Sequence, residues 1–259
     1  MREALFDRVA RFYDYEIEDF IKNINDVPFY IEYAKKCGGE VLELACGTGR
    51  VLIPLAKEEI KITGLDASRE MLNVARKKID ALDRGTQRNI ELVQEDMSRF
   101  DLHKTFSLIF CTFRSFQHLV TREERGKCLE CVNRHLTKNG IFILHLFVPW
   151  HHLLAQERRS MYLGKFYDKE NDVYVTRRSE VVFNLAQQTL HEDRFYEWTD
   201  KQGNFQRHVW SFDFAYLFRY EVELLLEKHG FRVEEVFGSF DKSPYNYYSG
   251  EQIFVARRE

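Results

Sequence analysis

The chain has 259 residues, 44% of them hydrophobic and 31% charged, with a formal net charge of -3. Such a chain suits one large globular domain or a core with a substantial insertion. The acidic balance argues against a nucleic-acid partner held by broad phosphate neutralisation, and no apolar stretch reaches the roughly 18 residues that a membrane-spanning helix needs.

The start, Met1-Arg2-Glu3-Ala4, has no signal-peptide core behind it, and five cysteines do not make a disulfide framework. A reducing cytoplasm is the expected compartment. Residues 1–36 read as a helical lead-in crowded by Phe12, Tyr13, Tyr15, Phe20, Phe29, Tyr30 and Tyr33, with a break at Pro28. From residue 40 strand-like and helical patterns alternate, the mark of an α/β sheet. Strands are predicted at 40–45, 60–65, 90–94, 106–111 and 141–147. Pro54 falls in the first turns of the helix after the first strand, where its missing N–H costs least. Ser68 is placed to cap a helix whose Leu72, Ala75 and Ile79 share a face. Thr121-Arg122-Glu123-Glu124 forms a capping box; Leu129, Val132 and Leu136 follow at helical spacing, and Gly140 closes the segment. Cys128 and Cys131 form a lone C-x-x-C inside this helix, without the second ligand pair of a structural zinc site. They read as buried thiols, His151-His152 is no stronger a signal, and no metal is expected.

Beyond Phe147 the rhythm changes. Residues 150–165 read as a polar bridge and 172–216 as long antiparallel strands, with a turn at Asp200-Lys201-Gln202-Gly203-Asn204. Trp210, Phe212, Phe214 and Tyr216 alternate onto one buried face. A helix near 219–229 ends at Gly230, and strands at 231–238 and 251–257 finish the chain. The expected organisation is a helical lid (1–36), an α/β domain (37–149 and 217–259) and an antiparallel β insertion (150–216) that covers the substrate. The insertion rises from the carboxyl end of the sheet, where ligands bind in open α/β folds.

Val41-Leu42-Glu43-Leu44-Ala45-Cys46-Gly47-Thr48-Gly49-Arg50 carries an apolar run into a glycine-paired turn before a helix. Such a turn exposes unpaired N–H groups, and Gly47 and Gly49 let a ligand approach the backbone. Leu52 stands where a dinucleotide fingerprint has its third glycine. Glu43 repels a pyrophosphate and suits an ammonium or sulfonium. Asp66, at the end of the second run, is placed to accept both ribose hydroxyls. Asp96 is placed to bond an adenine amino group while the Met97 thioether packs the ring.

Four segments resemble class I S-adenosylmethionine-dependent methyltransferases over most of residues 38–147. They are Glu43–Gly49; Gly64-Leu65-Asp66-Ala67-Ser68 with Glu70-Met71-Leu72; Glu95-Asp96-Met97; and His135-Leu136-Thr137-Lys138-Asn139-Gly140, with Asn139 in place of a glycine. The resemblance implies S-adenosylmethionine as cofactor and a Rossmann-like seven-stranded sheet with its last strand antiparallel. It implies Tyr13 or Tyr15 in a lid, and cofactor contacts from Tyr13, Glu43, Ala45, Gly47, Gly49, Asp66, Ala67, Met71, Asp96, Met97 and Thr112. An insertion after strand five resembles the subgroup acting on small molecules such as sugar-like and amine substrates.

The fourth strand ends near Cys111, so Thr112 to His118 are expected at the pocket mouth. His118 is the candidate general base, because imidazole titrates near neutrality. Arg114 is placed either to hold a substrate carboxylate or phosphate or to pair with a nearby acid. His145, where relatives often carry an acid, is a polar wall or a packed core residue. Tyr162, Phe166, Tyr167, Tyr196, Trp198 and Trp210 either cage a substrate or form the insertion's own core. The expected function is methyl transfer to N or O of a small molecule. The alternatives are a nicotinamide oxidoreductase and a non-catalytic S-adenosylmethionine-binding protein.

Overall fold

The apolar runs become the centre of a seven-stranded sheet. The computed structural model describes residues 6–7 and 9–259, apart from the side chains of residues 19–23. The expectations for Met1–Ala4 and for the side chain of Phe20 lie outside the described residues. Two helices, α1 (Ala10–Ile24) and α2 (Val27–Cys37), lead into β1 (Val41–Leu44), α3 (Leu52–Lys57), β2 (Ile62–Asp66) and α4 (Arg69–Asp80). The short α5 (Arg84–Gln87), β3 (Ile90–Gln94), β4 (Phe106–Cys111), α6 (Arg122–His135) and β5 (Leu136–Phe147) follow. A short helix, α7 (His151–Leu154), opens the insertion, whose strands are β6 (Arg158–Asp168), β7 (Val173–Asn184), β8 (Thr189–Thr199) and β9 (Phe205–Ala215). The chain closes with α8 (Arg219–Lys228), β10 (Phe231–Phe237) and β11 (Glu251–Arg258).

The main sheet runs β10-β11-β5-β4-β1-β2-β3, and the insertion is a second, four-stranded antiparallel sheet in sequential order. In the main sheet β11 lies antiparallel to both β5 and β10, while β5, β4, β1, β2 and β3 pair in parallel. Both faces of the main sheet are covered, which is why its strands read as unbroken apolar runs rather than alternating ones. On one face Leu42, Leu44, Ile109, Phe142 and Leu144 pack with Leu129 and Val132 of α6 and Val222 and Leu226 of α8. On the other, Val41, Leu108, Phe110, Ile141 and Ile143 pack with Phe29, Tyr30 and Tyr33 of α2 and Leu52 and Leu55 of α3. Each such side chain contributes about 1.5–3 kcal/mol when fully buried.

The caps fall where the sequence puts them. The Ser68 hydroxyl accepts from Met71 N–H, and the Thr121–Glu124 capping box is complete. Cys128 and Cys131 are buried in α6, and all five cysteines are free thiols. Two expectations are corrected. Gly140 does not end α6: the helix stops at His135, and Leu136 turns to an extended backbone. Register then slips from Phe106↔Leu136 to Leu108↔Ile141, so residues 137–140 bulge from the ladder. Asn139 takes the left-handed φ of 64° in that bulge, which explains its standing in a glycine's place. Nor are residues 150–165 simply a polar bridge; they include most of β6. The cavity-facing residues there are Arg159, Met161 and Leu163, and the arginine masks the period-two pattern.

The N-terminal segment ties the two sheets together. Val9, Ala10 and Phe12 share an apolar cluster with Met71 of α4 and with Val175, Tyr196, Trp210 and Phe212 of the insertion. Phe12 stacks on Tyr196 with ring centroids 4.9 Å apart, and Tyr15 stacks on Phe166 at 4.8 Å. Among the described residues no helix is long and apolar enough to cross a membrane.

Candidate functional site

The turn after β1 is built on three left-handed residues, Ala45 (φ 54°), Gly47 (φ 55°) and Gly49 (φ 82°). Asp66 locks it from the end of β2: Gly47 N–H donates to Oδ2 and Ser68 N–H to Oδ1, both at 2.8 Å. A Cβ on Gly47 would point at the Tyr13 ring 3.7 Å away, whereas one on Gly49 would press on Ile53 at 3.2 Å. Gly47 therefore shapes the open side of the turn, and Gly49 its packed side. Leu52 fits where a dinucleotide fold needs glycine because the room comes from β2. A Cβ on Gly64 would lie 2.2 Å from Leu52 Cδ1.

The crevice above this turn encloses about 620 Å³ counting its open mouth. Tyr13, Ala45, Gly47, Asp66, Ala67, Met71, Asp96 and Met97 line it, so eight of the eleven predicted cofactor residues meet there. Glu43, Gly49 and Thr112 do not line it. Thr112 Oγ1 donates to Glu43 Oε1 at 3.4 Å behind the crevice wall. The acids at the ends of β2 and β3 thus reach the wall, while the acid within β1 lies beneath it. Burial pushes the Asp66 carboxyl up to about 6, against the pull of the Ser68 and Gly47 amides. Burial likewise pushes Glu43 up to about 8, opposed by the Arg50 charge. Arg50 itself is held by both oxygens of buried Asp26 at 2.6 Å. Glu43 Oε2 takes no hydrogen bond among the described residues. The Tyr13 phenol, raised to about 12 by burial, stays protonated and offers an O–H donor.

A second, larger cavity opens beneath the insertion, about 1240 Å³ counting its mouth. It shares Phe6, Tyr13, Ser115 and His118 with the first. His118 sits at this junction on the short 3-10 turn Ser115–His118, its ring against Phe6, Phe212 and Phe214 at centroid distances of 5.1, 5.4 and 4.9 Å. Trp210 lines the cavity, whereas Tyr162 and Tyr167 are exposed. Tyr196 is fully buried against Phe12.

Arg114 lines the same cavity, but its Nη2 donates to both oxygens of Glu251 at 3.1 and 3.2 Å. His145, fully buried, completes the group. Its Nδ1 accepts from Phe113 N–H at 3.1 Å, so Nε2 carries the hydrogen and donates to Glu251 Oε2 at 2.7 Å. Burial raises the Glu251 carboxyl, but His145 and Arg114 together outweigh it and hold the group below the usual range. The partner of Arg114 is thus 137 positions away in sequence. Sequence reasoning also missed Glu16, Glu192 and Arg194. Nothing marks these in the sequence except their charge among alternating apolar residues.

A methyltransferase-domain family model matches residues 41–140. The chain is 30% identical to the dTDP-3-amino-3,4,6-trideoxy-alpha-D-glucopyranose N,N-dimethyltransferase of Streptomyces venezuelae. That match covers 51% of this chain and spans about half of the relative, 52% of its length. Two solved structures share the fold. One is the CcbJ methyltransferase of Streptomyces caelestis (TM-score 0.76, 22% identity, 90% of this chain and 89% of that one). The other is an S-adenosylmethionine-dependent methyltransferase of Clostridium acetobutylicum (TM-score 0.78, 18% identity, 95% and 97%).

Proposed function

We propose that this chain, whose residues 41–140 are a class I methyltransferase domain, moves the methyl group of S-adenosylmethionine to an amine nitrogen of a small-molecule acceptor. The observation that carries this reading is the junction of the two cavities. Tyr13, Ser115 and His118 belong to both, so a donor in one faces an acceptor in the other. The residues fit the cofactor. Asp66, a buried carboxyl on the crevice wall raised by desolvation, suits hydroxyl donors, which favour its ionised form. Asp66 and Asp96 would hold its ribose and adenine, with Met71 and Met97 against the ring.

S-adenosylmethionine supplies an electrophilic methyl group on a sulfonium. The chain's own residues then orient the nucleophile, exclude water and take up a proton. His118 is the proton acceptor in this reading, set in the aromatic wall formed by Phe6, Phe212 and Phe214. Tyr13 donates from the lid side, and its raised pKa keeps it from acting as a base at neutral pH. The insertion sheet roofs the acceptor cavity with Trp210, Phe212 and Phe214. The amine preference draws on the sugar N,N-dimethyltransferase likeness together with this aromatic lining. Incubation with methyl-labelled donor and a panel of amino sugars and simple amines tests the reading. Label should appear on nitrogen; transfer to oxygen alone, or donor binding without transfer to any of them, overturns it.

A further inference from the structure

The cavity-facing side of the insertion sheet carries a register that fixes the order of its side chains. Arg159 of β6 pairs with Val181 of β7, Val181 with Glu192 of β8, and Glu192 with Phe212 of β9. All four line the acceptor cavity. The row therefore runs from Arg159 through Glu192 to Phe212, whose ring touches His118 at the junction with the donor crevice. Arg159 and Glu192 are two strand spacings apart, ~10 Å between backbones.

Both ends of this span are open to a ligand. Ser179 Oγ donates to Glu192 Oε1 at 2.8 Å, and Arg194 Nε and Nη2 donate to the same oxygen at 2.9 and 2.6 Å. Glu192 Oε2 takes no hydrogen bond among the described residues. The Arg194 guanidinium is shared with Glu16, whose other oxygen accepts from the Tyr196 hydroxyl. Two carboxyls thus share one guanidinium in the middle of the cavity. Arg159 has no ion pair and no hydrogen bond among the described residues, while the other cavity arginines, Arg114 and Arg194, are held by Glu251, Glu16 and Glu192.

We infer that Glu192 and Arg159 select the acceptor: a dipolar molecule that presents a protonated amine to Glu192 and an anionic phosphoryl or carboxyl group to Arg159. The inference rests on the methyl-transfer reading for the identity of the cavity, not for the charge row itself. Burial raises the Glu192 carboxyl to about 7, and a cationic amine at its open oxygen favours the ionised form; a guanidinium takes a phosphate or carboxylate through paired N–H groups. The bound amine gives up its proton, to His118 in this reading, before its lone pair attacks the methyl. Val181, between them, gives the spacer an apolar floor.

Calorimetric titration of the full chain saturated with S-adenosylhomocysteine tests this, with glucosamine 6-phosphate, glucosamine, glucose 6-phosphate and glucuronate as probes. Glucosamine 6-phosphate should bind about 10-fold more tightly than glucosamine or either anion-only probe. Arg159→Ala, at a partly exposed site, should lose about 10-fold for phosphate and carboxylate probes and nothing for glucosamine. Glu192→Gln should lose about 10-fold for the two amines and nothing for glucose 6-phosphate. The two anion-only probes identify which anion Arg159 prefers. The inference falls if all four probes bind alike or not at all, or if either variant changes every probe equally or none. S-adenosylhomocysteine binding, measured first in the same buffer, reports the donor site separately. If it binds and the sugars do not discriminate, the charge row fails and the methyl-transfer reading stands.

Discussion

His145 donates from Nε2 to Glu251 Oε2 at 2.7 Å while its Nδ1 receives the Phe113 N–H. The pair joins the last strand of the sheet to the loop that carries His118. Phe113 and Arg114, the two residues it holds, both have left-handed backbones, with φ of 49° and 70°. Glu251 also anchors Arg114, and its side chain is 13% exposed. Replacing it leaves a buried imidazole and a partly buried guanidinium without their acceptor. Glu251→Ala is expected to cost about 3 kcal/mol of stability, within the range for breaking a buried pair. Urea denaturation checks this, and an unchanged midpoint would show that the loop holds its shape without the pair.

Asp66 anchors the glycine turn and lines the crevice above it. Asp66→Ala removes the acceptor for Gly47 and Ser68 N–H as well as for a ribose. A hydrogen bond to a charged group is worth about 1.5–3 kcal/mol, so S-adenosylhomocysteine affinity should fall at least ~10-fold. Calorimetry on the folded variant decides it; equal affinity removes Asp66 from the site.

The same carboxyl gives a pH dependence with a defined sign. In the folded chain it holds its proton up to about 6, and unfolded it releases the proton near its ordinary value of 3.8. The folded state therefore binds the extra proton, and the stability this group contributes falls as pH rises from about 4 to 6. Hydroxyl donors on a ligand favour the ionised form. S-adenosylhomocysteine should bind more tightly as pH rises from 5 to 7, a window below the Glu43 value of about 8. Asp66→Asn should flatten that rise; a slope kept in the variant would assign the titration elsewhere.

Gly64 makes room for Leu52. In Gly64→Ala the new methyl would meet Leu52 Cδ1 at 2.2 Å and Cys46 Sγ at 2.8 Å, both in the buried core beside the turn. Overpacking of this kind costs about 1–3 kcal/mol. Thermal melting should show the loss, and Gly64→Ala paired with Leu52→Ala should recover part of it. A wild-type melting temperature for the single variant would mean that α3 shifts away freely.

The central strands and the crevice above the Gly47 turn were legible because their signals are local. Apolar runs of strand length end in Asp66 and in the loop bearing Asp96, and Ser68 and Thr121 cap the helices that follow. The cavity beneath the insertion was not legible because it is assembled across strands. Arg159, Glu192 and Phe212 become neighbours only through the register of β6 to β9. For Arg114 the sequence leaves a substrate anion and a nearby acid both open, and only the fold, by bringing β11 alongside, supplies Glu251 as the acid. Residues 137–140 misled for a different reason: helical spacing of apolar residues continues through Leu136 after the hydrogen-bond ladder has already changed.

The most direct test of the whole account is a crystal structure with S-adenosylhomocysteine. The ligand should lie between the Gly47 turn, Asp66 and Asp96-Met97, with its sulfur toward Tyr13 and His118 at the cavity junction. The nucleoside lodged elsewhere, or that crevice taken by a diphosphate under the same conditions, would contradict it.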